Sequence, residues 1–268
     1  MSQARALDQF YTNRPIAKDC FQFLAQEFSF REDDLFLEPS AGDGAFFEIF
    51  PTGRRVGCDL EPKHPEVDKV DFLKEFTPKL GVARWICCGN PPFGKNSSLA
   101  VQFFNRAAEF CDVIAFVVPL TFRKSSLQKR LNKFFKLKAE MTMKEQAFVF
   151  EGAPYAVPCC FQVWVKATEP RLIANTPLSH PDFEFCSPEE GSFAIRRVGG
   201  LAGKIIQPFA GYSPNSHYYI KPVIADAQTL MRRIGSIDWA DVKWNTAGNP
   251  SISKRELVAK YSALTSLQ

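Results

Sequence analysis

Short apolar runs alternate with helical patterns over the first part of the chain. The strand-like runs are at 34–38, 54–59, 67–72, 84–89 and 112–119. The helical patterns are at 15–28, from about residue 45, and at 98–110. Strands that alternate with helices form parallel sheets, because a parallel connection needs a crossover long enough to hold a helix. The alternation therefore predicts an α/β fold built on a mostly parallel sheet.

The pattern changes towards the C-terminus. A basic helix is predicted at about 123–134, followed by strands at 145–150 and 157–166. The direct connection between these two strands favours an antiparallel hairpin at the edge of the sheet. Beyond it the chain becomes rich in Pro and Ser, and we predict one larger domain at 1–168 and a smaller, less regular region at 169–268 without a large core of its own.

Polar or glycine-rich features follow four successive strands. They are the loop P-S-A-G-D-G at 39–44, then Asp59, then Asp71 with Phe72, and finally N-P-P-F at 90–93. The carboxyl ends of parallel strands meet at one edge of a sheet, where α/β proteins bind their ligands. A carboxylate such as Asp59 suits ribose hydroxyls, and an acceptor beside a ring suits an adenine. The four features together predict a nucleotide-type site.

The N-P-P-F turn ends its strand abruptly. Pro91 and Pro92 have no backbone N–H and restrict their own φ, so they form a stiff, extended turn. Such a turn holds the Asn90 side chain and the Pro91 carbonyl in a fixed direction. The alternative interpretation is a strand terminator packed by Phe93.

The motifs at these positions resemble those of S-adenosylmethionine-dependent N6-adenine methyltransferases of nucleic acids. N-P-P-F at 90–93 matches the catalytic turn, and E-P-S-A-G-D-G at 38–44 matches the cofactor loop. Q-F-Y-T at 9–12 is similar to the upstream cofactor element, although Asn13 replaces the usual Pro. The motif order resembles the gamma arrangement and covers roughly residues 8–166. The resemblance implies a Rossmann-like class I methyltransferase with a mostly parallel seven-stranded sheet and an antiparallel edge hairpin.

The resemblance also implies that 1–168 is the cofactor-binding catalytic domain and that 169–268 is a small region for target recognition and substrate binding. It further implies a cofactor and a set of site residues. S-adenosylmethionine would be bound by Phe10, Tyr11, Thr12, Glu38, Pro39, Ser40, Ala41, Gly42, Asp59, Leu60, Asp71, Phe72 and Asn90. The catalytic residues would be Asn90, Pro91, Pro92 and Phe93.

The chemistry of an exocyclic adenine amine explains this choice of residues. Its lone pair is delocalised into the ring, so the nitrogen is a poor nucleophile. The Asn90 side-chain oxygen and the Pro91 carbonyl can accept its two N–H groups and favour a pyramidal nitrogen, which makes catalysis mostly positioning and fixed electrostatics. Phe93 would stack on a target base that has left the duplex.

The net charge of +4 and the pI of about 8.6 permit a polyanionic partner. The basic run that starts at Arg123 is either a solvated helix face or a phosphate-contacting patch. Phe122 either lines a base pocket or packs in the core, and Tyr155 lies in a loop that could close over the base. The segment 195–204 is either a phosphate-contacting loop or an ordinary turn. The predicted nucleic-acid contacts are Phe122, Arg123, Lys124, Tyr155, Arg196, Arg197 and Lys204.

The cysteines and the hydropathy of the chain disfavour metal-binding, secreted and membrane-spanning proteins. The eight cysteines include two adjacent pairs in apolar runs, without C-x-x-C and with only three His, so we expect buried thiols and no metal. Free thiols fit a reducing, cytoplasmic compartment. The N-terminus lacks a hydrophobic signal core and no apolar run reaches the ~18 residues of a membrane span, so we expect neither secretion nor a membrane.

The resemblance favours DNA as the methylated substrate. One alternative is RNA, because N-P-P-F also occurs in enzymes that act on structured RNA. A second is the amide of a protein glutamine, against which Phe93 and the basic clusters weigh. A third is a non-catalytic nucleic-acid-binding subunit, which the intact catalytic turn and cofactor loop disfavour.

Overall fold

The computed structural model describes residues 11–143, 148–150, 153–155, 157–173 and 177–266, with the backbone alone at 148–150 and 153–155. The chain divides into two compact units, Met1–Ile173 and Ala174–Gln268. We call them unit 1 and unit 2.

Unit 1 is built on a seven-stranded sheet in the order β4-β3-β2-β5-β6-β10-β7. Its strands are β2 (Asp34–Glu38), β3 (Arg55–Asp59), β4 (Asp68–Lys69), β5 (Arg84–Gly89), β6 (Val113–Pro119), β7 (Phe135–Thr142) and β10 (Cys159–Lys166). The strands from β4 to β6 are parallel, and β10 runs antiparallel between β6 and β7. This order, with one reversed strand next to the edge, is the Rossmann-like fold of class I methyltransferases. The predicted fold class is confirmed.

The edge pair differs from the predicted one in its first strand. The edge partner of β10 is β7 (Phe135–Thr142), and not the predicted strand at 145–150. β7 alternates apolar and charged side chains at an edge that is half exposed, and its lysines made it look like the end of a basic helix. Residues 148–150 instead form β8, which pairs with β1 (Tyr11–Thr12) and β9 (Ala153–Tyr155) in a separate three-stranded sheet.

The helices of unit 1 are α1 (Arg14–Glu27), α2 (Ser98–Ala107) and the single turn α3 (Ser125–Gln128). The helix predicted from residue 45 is only a 3-10 turn at Phe47–Ile49. It lies between Gly44, whose φ is +83°, and Pro51, which leaves too few residues for a longer helix.

The basic helix predicted at 123–134 is also shorter than expected. Arg171 donates to the carbonyls of Leu131 (3.0 Å) and Phe135 (2.7 Å), and also to those of Gln128 and Asn132. These carbonyls are satisfied by a guanidinium from a distant segment and do not need a continuing helix. The chain can therefore leave α3 after one turn and enter β7.

The core of unit 1 is rich in aromatic rings and thiols. Phe36, Phe46, Phe104, Phe116 and Phe161 are at most 1% exposed. Seven of the eight cysteines are also buried, and all eight are free. Burial raises the pKa of Cys58 to about 12 and that of Cys88 well above its ordinary value, so the thiols remain protonated and act as small apolar side chains.

Unit 2 has a hydrophobic core of its own, which was not expected from the sequence. A four-stranded antiparallel sheet has the order β11-β14-β12-β13, and one core contains Phe183, Ile220, Leu257 and Tyr261. The strands are β11 (Phe183–Cys186), β12 (Phe193–Arg196), β13 (Ile205–Ile206) and β14 (His217–Pro222). The helices are α4 (Ala227–Gly235), α5 (Ala240–Lys243) and α6 (Lys254–Thr265).

Candidate active site

A cavity of about 410 Å³ opens at the carboxyl ends of the parallel strands of unit 1. Its walls include residues that follow β2, β3, β4 and β5, together with β1. The site residues named from the sequence that line it are Tyr11, Thr12, Glu38, Pro39, Ser40, Ala41, Gly42, Asp59, Leu60, Asp71, Phe72, Asn90 and Pro92. Phe10, the remaining predicted cofactor contact, lies outside the described residues.

The loop after β2 is held by bonds to its two neighbouring strands. Gly42 donates its N–H to Asp59 Oδ2 over 2.8 Å, and Ser40 Oγ donates to the backbone carbonyl of Asn90 over 3.1 Å. Gly42 has a φ of +50°, and a Cβ there would lie 2.8 Å from the Tyr11 ring. A glycine is required here both by the dihedral and by the close approach of β1.

Glu38 is a buried carboxyl at the end of β2. It is 3% exposed and accepts the N–H of Phe47 at Oε2 over 2.6 Å. Burial, reinforced by the charges of Asp43 and Asp59, raises the pKa of Glu38 well above its ordinary value. The negative surroundings would favour a positively charged ligand in the cavity.

Asp59 and Asp71 lie at the ends of β3 and β4. Asp59 Oδ1 accepts the N–H of Glu61 over 2.8 Å, so both its oxygens contact backbone and each retains further acceptor capacity. Asp71 is bound by Lys74 Nζ over 3.0 Å and by the N–H of Leu73 over 2.9 Å. Burial acts to raise the pKa of Asp71, but these bonds outweigh it and hold that pKa below its ordinary value.

An apolar wall lies beside these carboxylates. The rings of Phe72 and Phe103 pack with their centroids 5.3 Å apart, and both residues line the cavity. Leu99 and Gln102 also line it and lie on the same face of α2 as Phe103, at spacings of three and four residues. These three residues are not among the predicted site residues, although the helical periodicity after the N-P-P-F turn could have indicated them.

Thr12 contributes a polar atom that the described residues leave unsatisfied. The residue is 6% exposed and lines the cavity, and its Oγ1 has no hydrogen-bond partner among the described residues. A buried hydroxyl is costly without a partner. A polar group of a bound ligand would satisfy it.

The catalytic turn predicted from the sequence follows β5 directly. Asn90 and Pro92 line the cavity, while Pro91 is buried. Phe93 is only 8% exposed and belongs to the hydrophobic core of unit 1, so little of its ring is open to a stacking partner in this structure. Its carbonyl accepts the N–H of Leu99 over 3.1 Å, which joins the turn to the start of α2.

Left-handed residues follow the turn. Gly94 has a φ of +67°, and Asn96 and Ser97 have φ values of +53° and +58°. Non-glycine residues adopt such angles at a cost of about 1–3 kcal/mol each and collect at functional sites. The Ser97 hydroxyl lies 3.0 Å from that of Thr121, and the Asn96 carbonyl accepts Arg130 over 3.2 Å. This strained segment was not predicted from the sequence.

Two of the predicted nucleic-acid contacts of unit 1, Phe122 and Arg123, are already involved in other interactions. Phe122 is fully buried, so core packing accounts for this ring. Arg123 forms an ion pair with Glu140 at 2.7 Å and donates to the Thr142 hydroxyl at 2.8 Å. Lys124 is partly exposed and precedes α3. Tyr155 belongs to β9, where its side chain lies outside the described part.

The three predicted contacts of unit 2 lie at the end of β12 and on the loop that follows it. Arg196 folds back and donates from Nε to the carbonyl of Val198 over 3.0 Å. The guanidinium of Arg197 lies 5.2 Å from the ring centroid of Tyr218, and Lys204 is exposed.

Neither metal ligation nor membrane insertion is evident in the part of the chain that the structure describes. Within the described ranges, no group of three or more His, Cys, Asp or Glu side chains could hold a metal ion. Over the same residues, no helix combines the length and the apolar character needed to cross a bilayer.

Comparison with known proteins gives distant similarities only. No protein-family model matches the chain, and no curated protein matches it. A proposed RNA methyltransferase from Pyrococcus horikoshii has 14% sequence identity and a TM-score of 0.44, covering 56% of this chain and 83% of its own. The 23S rRNA methyltransferase ErmE has 16% identity and a TM-score of 0.41, covering 62% of this chain and 73% of its own.

A protein from Thermoplasma acidophilum is similar over 63% of this chain and 99% of its own, with 14% identity and a TM-score of 0.42. All three TM-scores are below 0.5, so these similarities are not used to assign a fold or a function. The assignment of the fold therefore rests on the strand order of the chain itself.

Proposed function

We propose that the chain is an S-adenosylmethionine-dependent methyltransferase that acts on the N6 amino group of adenine in a nucleic acid. DNA is the substrate implied by the resemblance, and RNA is the alternative. The observation that carries the proposal is the shared cavity. Asn90 and Pro92 of the N-P-P-F turn line the same cavity as the 38–42 loop, Asp59 and Asp71.

The residues of the cavity fit the cofactor. Its volume of about 410 Å³ lies in the range of small-molecule sites, about 300–1,000 Å³. The carboxyl group of Asp59 suits a ligand that carries positive charge, and the unsatisfied Thr12 hydroxyl suits a polar tail. The apolar wall of Phe72 and Phe103 suits an adenine ring. When bound, S-adenosylmethionine supplies an electrophilic methyl group.

The residues of the turn would act on the target amine. The Asn90 side-chain oxygen and the Pro91 carbonyl would accept its two N–H groups and orient the nitrogen lone pair into the cavity. The Ser40 hydroxyl bonds the Asn90 carbonyl, and Leu99 bonds the Phe93 carbonyl, so the turn is fixed on both sides. Preorganised acceptors of this kind need no reorganisation as the nitrogen becomes pyramidal.

Phe93 has a narrower role in this proposal than the sequence suggested. Because its ring is 8% exposed, stacking on a flipped base would use its exposed edge or a different side-chain rotamer. Phe93→Ala should lower the rate, and Phe93→Tyr should retain substantial activity because the ring is kept.

Methyl transfer from labelled cofactor tests the proposal directly. Duplex DNA, single-stranded DNA, structured RNA and a protein extract are incubated in parallel, and the products are digested and identified by mass spectrometry. We expect N6-methyladenine in one of the nucleic acids. Label found only in the protein would support the glutamine alternative. Cofactor binding without transfer to any of the four would contradict the proposal.

A further inference from the structure

Unit 2 contains two segments that are free of acidic residues. Neither 191–225 nor 242–255 includes an Asp or a Glu. The cations of these segments are Arg196, Arg197, Lys204, Lys221, Lys243, Lys254 and Arg255. A charge distribution of this kind, in which one sign is missing from two long stretches, is typical of a surface that meets a polyanion.

The central parts of the two segments are bonded together. Gly199 donates its N–H to the carbonyl of Pro250 over 2.8 Å, and Ile252 donates to the carbonyl of Arg197 over 2.9 Å. Lys243 Nζ donates to the carbonyl of Gly200 over 3.3 Å. Residues 196–204 and 243–255 therefore form one continuous surface, which we call the basic platform.

An exposed indole lies on the basic platform. Trp244 is 52% exposed, whereas the other three tryptophans of the chain are at most 7% exposed. The ammonium of Lys243 lies 5.5 Å from the Trp244 ring centroid. Leu201 is also exposed, and Gly200 has open space where a side chain would be. A large ring and an approachable backbone therefore accompany the cations.

A second group of cations surrounds Tyr218. The Arg197 guanidinium lies 5.2 Å from the Tyr218 ring centroid, and Lys254 Nζ lies 5.8 Å from it. Arg197 is partly exposed, and a guanidinium beside a second cation suits a phosphate oxygen.

We propose that the basic platform binds an unpaired stretch of nucleic acid. Trp244 stacks on one base, and Lys243, Arg197 and Lys254 contact the backbone phosphates. An aromatic face between cations is the arrangement by which proteins bind single strands, because every base offers a π-face once it leaves the helix. A duplex hides those faces, so the platform discriminates against it. That the bound strand is also the methylated one rests on the proposed function, whereas the binding itself does not.

Tryptophan fluorescence and anisotropy test the stacking. We expect a labelled single-stranded oligonucleotide to quench the emission of the intact protein, because Trp244 is the exposed member of its four tryptophans. Trp244→Ala should weaken single-strand binding by roughly 5- to 100-fold, and Trp244→Phe should bind nearly as the parent does. Leu178→Ala, which removes an exposed apolar side chain of unit 2 outside the platform, is the matched control.

The salt dependence of binding tests the role of the cations. Removing one cation that binds a phosphate of a single strand should lower the slope of log K against log salt by about 0.7. We expect that decrease for Lys243→Ala and for Arg197→Ala. Lys221→Ala is the charge-matched control, because Lys221 pairs across the sheet with Glu184 and not with the platform. These variants keep Trp244, so they remain informative if Trp244→Ala misfolds.

The outcomes separate this inference from the proposed function. Parent-like single-strand binding by Trp244→Ala, or equal affinity for duplex and single strand, overturns the inference even if methyl transfer is found. Single-strand binding that Trp244→Ala weakens supports it even if no substrate is methylated. DNA and RNA strands of the same sequence show which backbone the platform prefers.

Discussion

Two carboxyl groups that line the cavity of unit 1 have pKa values shifted by their surroundings. Glu38 is almost fully enclosed and its pKa is raised, chiefly by burial and further by the nearby charges of Asp43 and Asp59. Asp71 lies at the same cavity with its pKa held low, because Lys74 and backbone donors stabilise its charged form. The pKa values of two carboxyl groups at one cavity are thus shifted in opposite directions because their surroundings differ.

The raised pKa of Glu38 predicts a pH-dependent stability. In the unfolded chain Glu38 loses its proton near its ordinary pKa, whereas the folded protein keeps the proton to higher pH. The folded state therefore binds more protons above the ordinary pKa, and its stability falls as pH rises towards the raised value. Glu38→Gln, which carries no titrating group, should show less of this fall.

Urea unfolding between pH 5 and pH 8 measures the effect. Glu32→Gln, at an exposed carboxyl of the same unit, should keep the pH dependence of the parent. Identical pH profiles for Glu38→Gln and the parent would show that Glu38 is already ionised in the folded protein.

Substitutions at Asn90 and Asp59 should affect different steps, namely the rate of methyl transfer and the binding of the cofactor. Asn90→Ala removes an acceptor for the target amine, so we expect the single-turnover rate to fall by at least about 100-fold, the size typical of losing one preorganised group. Cofactor affinity measured by calorimetry should change little. Asp59→Ala should do the reverse, with weaker cofactor binding and a smaller loss of rate at saturation. A parent-like rate for Asn90→Ala would contradict the proposed mechanism.

Several elements of the structure depend on side chains that are distant in sequence. Arg171 satisfies carbonyls between α3 and β7, which lets a basic run change from one helical turn to an edge strand. In unit 2, Gly203 has a φ of +95°, and a Cβ there would overlap the Trp239 ring. These contacts determine where the elements begin and end, and no local pattern reveals them.

Two glycines of one loop make a matched test at this scale. Gly203→Ala should destabilise unit 2 by roughly 2–4 kcal/mol, because the new methyl group overlaps an indole and the dihedral disfavours any side chain. Gly200→Ala should change stability by less than about 0.5 kcal/mol, because nothing lies within 4 Å of its Cβ position. Thermal unfolding measures both. Equal effects would mean that the loop moves freely off Trp239.

Some strands of unit 1 could be predicted from the sequence and others could not. The strands ending at Glu38, Asp59 and Gly89 are apolar runs closed by Gly, Asp or Pro, so their existence and order could be predicted. β7 was not predicted, although its apolar and charged residues alternate, because its lysines continue the basic run that was interpreted as a helix. The two-residue β1 and the three-residue β8 are too short to show any period.

The whole molecule consists of two units with separate hydrophobic cores. The core of unit 2 joins Phe183, Ile220 and Leu257, which lie far apart along the chain. Such a core could not be predicted from local composition, which in this region is rich in Pro and Ser. Among the described residues, all strand pairings of unit 2 are internal to it.

Because unit 2 has its own hydrophobic core, we predict that it folds without unit 1. We expect residues 174–268, produced alone, to unfold cooperatively in urea with the same midpoint by circular dichroism and by Trp239 and Trp244 fluorescence. Agreement of independent probes is the sign of a two-state domain. A broad transition without a folded baseline would show that unit 2 depends on unit 1.

The free thiols of the core allow the rate of local opening to be measured by chemical labelling. Seven buried cysteines belong to unit 1, and the partly exposed Cys186 belongs to unit 2. A thiol reagent needs both access and a thiolate, and burial withholds both from the seven. Under native conditions the mass added should correspond to at most Cys186. The rate at which each additional label appears would then measure the local opening of the part of unit 1 that contains the labelled cysteine. The buried cysteines therefore serve as probes of local unfolding as well as packing residues.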